Sequence, residues 1–356
     1  MVEIRTYDGS AEDLQTFVVR VWRETYGGKK MAFPLWTPDY FRWQLPMESN
    51  DSKAREQLIV AYDGTKLVGA ILGFPCRFRT PQGEVAGSQG SWLSVDRDFR
   101  RQGVATLMRQ ELRQRHAALG LDFQIGYGYF GSPDSMGPAF WASQRELGTV
   151  PAGQIGFWAR VLHAGRAAAW NVVGWESWLT RGFGWMALPP WESAGSLTLR
   201  DFRPDDLPVC LELVQRETAN CDLAIAWEPQ QLSRQLAGGG VGQTLVAESN
   251  GQVRGFVNWH CLPFLGRTEE IVAVVDLVVL SGLGAIEQHR LLNSALYRMK
   301  TSGAALALKL RIGDYVARPL VTCGFVPRWP DSTVLATWGG EPRPWPALRR
   351  MHLLWR

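Results

Sequence analysis

Two stretches of this chain resemble each other, and that resemblance narrows the fold more than any single residue does. "LIVAYDGTKLVGAIL" (58–72) reads as strand, Asp-Gly turn, strand, and "TLVAESNGQVRGFVN" (244–258) reads as strand, Asn-Gly turn, strand. Val60-Ala61 match Val246-Ala247, and Gly69 matches Gly255 at the same separation. Each hairpin follows a helical pattern and precedes a further strand and helix. In the second half these are "EIVAVVDLVVL", "AIEQHRLLNSALYRMK", "AALALKLRI" and "YVARPLVTCGF". Chance would produce two similar hairpins more readily than the same order of elements after each. The pattern therefore predicts a tandem duplication with a repeat of about 186 residues.

The expected boundary lies near 185–196, where "MALPPWESAGS" pairs prolines with small polar residues before a fresh strand, "LTLRDF". The predicted organisation is an N-terminal unit over 1–160, a Trp-rich connecting segment over 161–195 and a C-terminal unit over 196–356. The expected fold class is α+β. Each unit should be a mostly antiparallel twisted sheet flanked by helices, with one parallel crossover around a helix over 104–119. Hydrophobic residues make up 46% and charged residues 20% of the 356, enough for a real core. The net charge of +4 comes without a long Lys/Arg block, which suits a small anionic ligand at least as well as nucleic acid, and no nucleic-acid partner is expected. The five cysteines are scattered, which predicts reduced thiols, a cytoplasmic setting and no zinc site. No signal-like apolar segment opens the sequence and no 18-residue apolar run exists, so no membrane association is expected. Six tryptophans crowd into 158–191, and packing between the two units is the expected reason rather than a membrane surface.

The stretch "SVDRDFRRQGVATLM" (94–108) carries the chemistry. "GSWLSV" reads as a strand and "VATLMRQELRQRHAAL" as an amphipathic helix. Val104, Leu107, Met108, Leu112 and Leu119 form its apolar face, with Arg109, Gln110, Arg113 and Gln114 largely on the other and His116 at the surface. The loop thus opens a helix, whose first turn offers unpaired N–H groups and the positive end of the macrodipole. Gly103 has no side chain to keep an anion off the backbone, and Arg100 and Arg101 add permanent charge. Together these predict a site for a diphosphate.

The stretch resembles motif A of the GCN5-related N-acetyltransferases, a strand ending in Val, four residues, then [R/Q]-x-x-G-x-[G/A]. Here Val95 is followed after four residues by Arg100-Arg101-Gln102-Gly103-Val104-Ala105, so every fixed position is filled. The resemblance covers about residues 3–160, with a weaker echo over 197–340. It implies that acetyl-CoA, or another acyl-CoA, is the co-substrate and that no metal is used. By similarity, the backbone amides of 101–105 hold the CoA diphosphate. Leu93, Ser94 and Val95 pair their backbone with the pantetheine arm and the thioester carbonyl. The second half departs from the pattern: "VVLSGLGAIEQHRLLN" has no R-x-x-G-x-A, and Glu287 places negative charge where a phosphate would lie. That half is expected to be a degenerate unit that shapes or covers the substrate cleft.

The family's tyrosine acid, four residues before a late Gly, is absent, since Gln144 and Leu320 stand at the matching positions. Tyr129 is the candidate replacement acid, with Tyr127 beside it on the same strand face. Both could instead be core aromatics. Glu84, near the start of the fourth strand, is the candidate base, with Asp122 a similar lone carboxylate and solvation the alternative for both. Trp36 and Tyr40, in "PLWTPDYFRWQLP", are candidate acceptor-binding residues with Tyr127, though the aromatics of this stretch could equally cap the core. His260, after "FVNW", is placed toward the cleft from the second half. The expected function is an acyl-CoA-dependent N-acyltransferase acting on a small-molecule or peptide amine. The alternative is a protein of this fold that senses acyl-CoA without turnover.

Overall fold

The structure, a computed structural model, describes residues 2–49, 51–183, 190, 197–341 and 348–356. Twelve strands build the main path of one mixed sheet. The first half supplies β1 (Val2–Thr6), β2 (Leu58–Asp63), β3 (Lys66–Thr80), β4 (Gly83–Val95), β5 (Phe123–Tyr129) and β6 (Thr149–Val161). The second supplies β7 (Thr198–Asp201), β8 (Gly242–Ser249), β9 (Gln252–Leu265), β10 (Glu269–Val279), β11 (Leu306–Arg311) and β12 (Ser332–Trp338). Their spatial order is β1-β2-β3-β4-β5-β12-β6-β11-β10-β9-β8-β7.

The duplication is visible in detail. The β2–β3 hairpin carries a bulge after Ala61 and the β8–β9 hairpin one after Ala247, at the same repeat offset. Gly69 faces Ala61 and Gly255 faces Ala247. A Cβ on Gly69 would meet Met108 and Ala61, and one on Gly255 would meet Leu283 and the Val279 carbonyl, so both glycines mark a close approach. Parallel pairing occurs twice along the main path, where one crossover was expected: β4 with β5 across α3 (Val104–Leu119), and β10 with β11 across the helix Ala285–Thr301.

The two units do not keep separate sheets. Strand β12, from the second half, lies between β5 and β6 of the first and is antiparallel to both. Strand β6 is long enough to serve both units: Thr149–Ile155 pairs with β12, and Gly156–Val161 pairs with β11. The halves have thus exchanged strands at the centre, and the exchange removes the two sheet edges that separate units would expose there. The main core cluster accordingly runs from Leu14 and Phe17 in α1 (Ala11–Tyr26) to Leu353 and Leu354.

The Trp-rich segment divides. Trp158 and Trp170 are buried, and Trp170 Nε1 donates to the Phe264 carbonyl at 3.1 Å, which ties this segment to the second unit. Trp175 and Trp178 are exposed, while Trp185 and Trp191 lie outside the described residues.

Helix α3 packs Val104, Met108 and Leu112 on Ile59, Ala61, Val68 and Ile71. Two residues expected at its surface are buried instead. Arg109 is 1% exposed, donates Nη2 to the hydroxyls of Thr149 (2.6 Å) and Thr337 (2.5 Å), and lies 4.9 Å from the Trp141 ring centroid. His116 is 1% exposed beside Gln57 and Ser88. A two-faced helix pattern assumes one buried side. Here the ends of β6 and β12 meet Arg109 through Thr149 and Thr337, a contact that the strand exchange creates, and Gln57 and Ser88 enclose His116.

Candidate active site

The turn before α3 is built as a cradle. Strand β4 ends at Val95, and Asp96 follows with its carboxylate buried. Burial works against that charge. A hydrogen bond from Arg20 (3.0 Å), the Asp98 N–H (3.2 Å) and Lys66 (3.3 Å) outweigh it and hold the Asp96 pKa below the usual carboxylate value. Arg100 folds back, donating Nε to the Val95 carbonyl (3.0 Å) and Nη2 to the Thr25 hydroxyl on α1. Its guanidinium therefore pins the turn. Arg101, at φ 60°, and Gly103, at φ 82°, both occupy the left-handed region, which glycine enters without strain. Gly103 is the N-cap of α3, no side chain caps the first turn, and a Cβ there would meet open space. Residues 101–103 are exposed, while Val104 is buried and Ala105 half-buried. Backbone N–H groups of 101–105 with an exposed Arg101 thus form a surface that an anion can approach. Well-formed charge-assisted contacts of this type contribute about 1.5–3 kcal/mol each.

The equivalent helix start in the second unit is closed. The Glu287 carboxylate accepts the Gly284 N–H at 2.9 Å, so an acid already caps that helix start.

Beside the first turn, β4 and β5 separate. Their parallel register covers only Gly87–Gln89 against Phe123–Ile125, although β4 continues to Val95 and β5 to Tyr129. Beyond Gln89 the β4 edge facing β5 is free to pair with an extended ligand chain. The same stretch carries a bulge where Trp92 adopts φ 59°. Ser94 Oγ accepts from Trp22 Nε1 (3.1 Å) and donates to the Trp92 carbonyl (3.0 Å), which fixes the bulge. Leu93 and Val95 are half-buried against the α3 cluster.

The aromatic stretch 34–46 does not form an open pocket. Trp36, Tyr40, Phe41 and Trp43 are all buried, and Trp36, Tyr40 and Phe41 pack their rings within 5.9–6.4 Å of Trp92. In place of the open acceptor pocket expected at Trp36 and Tyr40, the rings fill the volume themselves. Glu84 is also not brought to the separation of the strands. It is exposed, pairs with Arg77 at 3.0 Å, and lies 11 residues along β4 from Val95, roughly 35 Å away. Tyr129 folds its hydroxyl over Gly131 near Asp331, and burial followed by the Asp331 charge pushes its pKa up to about 12. Tyr127 does reach the gap between the strands. Its hydroxyl donates to the Leu354 carbonyl at 2.6 Å and accepts from Gln89 Nε2 at 3.2 Å, and burial raises its pKa.

Sequence reasoning missed the segment 351–356. Met351–His352 pairs in parallel with Leu223 and Ala224, His352 Nδ1 bonds Asp314 at 2.8 Å, and Leu354 meets Gln89 and Tyr127. Arg356 is fully buried. Its guanidinium donates to Asp276 (2.8 Å), to Gln235 (3.2 Å) and to Gln44 (2.6 Å), at the end of α2 (Pro38–Gln44). Asp276 also accepts from His260 Nδ1 at 2.7 Å. Burial opposes ionisation of Asp276, yet Arg356 and His260 hold its pKa well below the usual value. His260 is therefore buried within this cluster rather than facing an open cleft. The signal available in the sequence was Asp276 alone, the one acid interrupting the apolar run "IVAVVDLVVL".

Among the described residues no helix is long and apolar enough to cross a membrane, and no group of three or more His, Cys, Asp or Glu could hold a metal ion. Residues 8–133 match the family model described as an acetyltransferase (GNAT) domain. No curated protein matches the chain. Among solved structures, N-myristoyltransferase of Saccharomyces cerevisiae with bound myristoyl-CoA is similar at TM-score 0.72 and 14% identity, over 96% of this chain and 84% of that one. A GCN5-related N-acetyltransferase from Anabaena variabilis is similar at TM-score 0.51 and 13% identity, covering 94% of this chain and 72% of that one. One from Kribbella flavida is similar at TM-score 0.52 and 16% identity, covering 94% and 70%. At such identities the structural likenesses speak for the fold, and the family match over 8–133 contains the turn, the bulge and α3. On these grounds residues 8–133 are similar to an acetyltransferase (GNAT) domain, and the chain shares the fold of the N-acyltransferases named above.

Proposed function

We propose that this chain transfers a short acyl group, acetyl in the simplest case, from acyl-CoA to an amine within a ternary complex. The observation that carries the reading is the exposed, uncapped start of α3 at Gly103, set beside the unpaired edge of β4. The diphosphate binds the amides of 101–105 and the pantetheine arm extends along Leu93–Val95. The thioester then lies at the Trp92 bulge. A bulge leaves strand N–H groups unpaired, and one of these stabilises the oxyanion as the amine attacks. Alignment of the two reactants supplies much of the remaining acceleration, so no covalent enzyme intermediate is needed. The amine must lose its proton, and an ordered water is the carrier this reading favours, since Glu84 lies far away and Tyr129 holds its proton tightly. The packed rings of Trp36, Tyr40, Phe41 and Trp92 leave little room past the bulge, which supports a short acyl group. The acceptor class is an amine of a small molecule or peptide.

Sensing without turnover is the second reading. Gln144 and Leu320, both buried, stand where the family's tyrosine acid is found. Calorimetric titration with acetyl-CoA and thiol release across an amine panel separate the two. Binding that Gly103→Trp abolishes, together with amine-dependent thiol release, supports transfer. Binding without release from any amine supports sensing. Binding unaffected by Gly103→Trp overturns both.

A further inference from the structure

Asp276 is the residue left over at the bulge of β10, the second-unit strand that corresponds to β4. Leu277 faces Asn258 and Val275 faces Trp259, so Asp276 has no cross-strand partner. In the first unit a bulge of the same strand carries Trp92. The second unit has placed a carboxylate there, with a fully buried side chain, and has surrounded it with donors: Arg356 Nη1, His260 Nδ1 and Gln235 Nε2. Lys309 Nζ takes its backbone carbonyl at 3.1 Å.

Arg356 links this cluster to the first unit in two directions. Its Nε reaches Gln44, and its guanidinium lies 5.5 Å from the Trp43 ring centroid, in the aromatic stretch packed on Trp92. Two residues back along the chain, the Leu354 carbonyl accepts from both Tyr127 and Gln89, where β4 and β5 part. Two residues of extended chain span about 7 Å. Both walls of the gap are therefore fastened to one carboxylate of the other unit.

We propose that Asp276 is a positioning residue for the transfer site of the first unit, acting through Arg356 and the segment 353–356 to fix Tyr127 and Gln89. This rests on the proposed location of the transfer site. It gives the second unit a defined part in the reaction, although its own helix start is closed by Glu287. Asp276 touches neither acyl-CoA nor the amine. Its loss disturbs the floor of the gap and leaves unaltered the turn before α3, which Arg100 fastens to Val95 and Thr25 instead.

The test uses the full chain labelled with 3-fluorotyrosine, the Tyr127 resonance being assigned with Tyr127→Phe, and acetyl-CoA as the probe. Asp276→Asn and Arg356→Gln should each shift or broaden the fluorine resonance of Tyr127 while the Kd for acetyl-CoA stays within about threefold. With any amine that releases thiol, kcat should fall at least tenfold. The charge-neutral double variant Asp276→Asn/Arg356→Gln should recover part of both signals, because no uncompensated charge remains buried. If a single variant fails to fold, Arg356→Lys keeps the charge but loses the planar fork, and should move the Tyr127 resonance in the same direction by less. An unmoved Tyr127 resonance in a folded variant, or acetyl-CoA affinity that falls in step with thermal stability, overturns the proposal. A Gly103→Trp protein that still binds acetyl-CoA normally would instead refute the location of the transfer site. The fluorine signal reports the tether independently of that result.

Discussion

His116 makes the stability of α3 sensitive to acid. Its ring is buried in the helix that opens at Gly103, with Nε2 2.8 Å from Gln57 Oε1 and 3.3 Å from Ser88 Oγ. The amide oxygen only accepts, so Nε2 holds the proton in the neutral ring. A second proton would place a charge in a dry site, and burial, aided by the Arg109 charge, lowers the pKa from 6.5 to about 3. Above pH 6.5 the ring is neutral in both folded and unfolded chains, and the shift has no effect on stability. Below pH 6.5 the unfolded chain takes up a proton that the folded chain refuses, so stability falls until the folded value near 3 is reached. At about 1.4 kcal/mol per unit, the loss between pH 7 and pH 5 is about 2 kcal/mol, and the full window amounts to about 5 kcal/mol. The assay is urea unfolding of the natural protein and of His116→Gln at pH 7 and pH 5. His163 and His260, whose pKa values are also lowered, are present in both proteins and cancel in the difference. The natural protein should lose about 2 kcal/mol more than His116→Gln between the two pH values. Equal losses, to within about 0.5 kcal/mol, would refute the reasoning, because they would mean that the ring is protonated in the folded state at ordinary cost.

Further outcomes are expected. Gly103→Val puts a branched residue at φ 82°, which costs about 1–2 kcal/mol in the left-handed region, and should weaken acetyl-CoA binding at least tenfold by calorimetry. Unchanged affinity would remove the turn from the site. Glu84→Gln should change turnover less than about twofold, since the side chain is exposed and roughly 35 Å from Val95; a tenfold loss would contradict its placement. A fragment of residues 1–160 lacks β12, so β5 and β6 lose the strand between them. It should remain unfolded alone by circular dichroism and regain strand signal on mixing with residues 161–356. Independent folding of the fragment would show that the exchange is not required.

The sequence by itself determined the local pieces. Alternating and β-branched runs marked the strands, Asp-Gly and Asn-Gly set the two hairpins, and the repeat offset predicted the duplication, to which the structure adds matching bulges after Ala61 and Ala247. The turn proposed to hold the diphosphate was equally legible as a glycine-bearing helix start, because adjacent backbone amides and one glycine form it. These signals are short-range, so they survive in a linear string. Only the tertiary structure decided which strands became neighbours at the centre. Strand β12 enters the first unit about 180 residues from its partner β6 and about 210 from its partner β5, and nothing in local pattern encodes a partner so far away. From that exchange follows the burial of Arg109 between Thr149 and Thr337, on a helix that reads as one-faced. The separate convergence of Asp276, Arg356 and Tyr127 around the gap in β4 and β5 was likewise invisible. Burial and charge pairing depend on what covers a residue, and in this protein the cover comes from the other half of the chain.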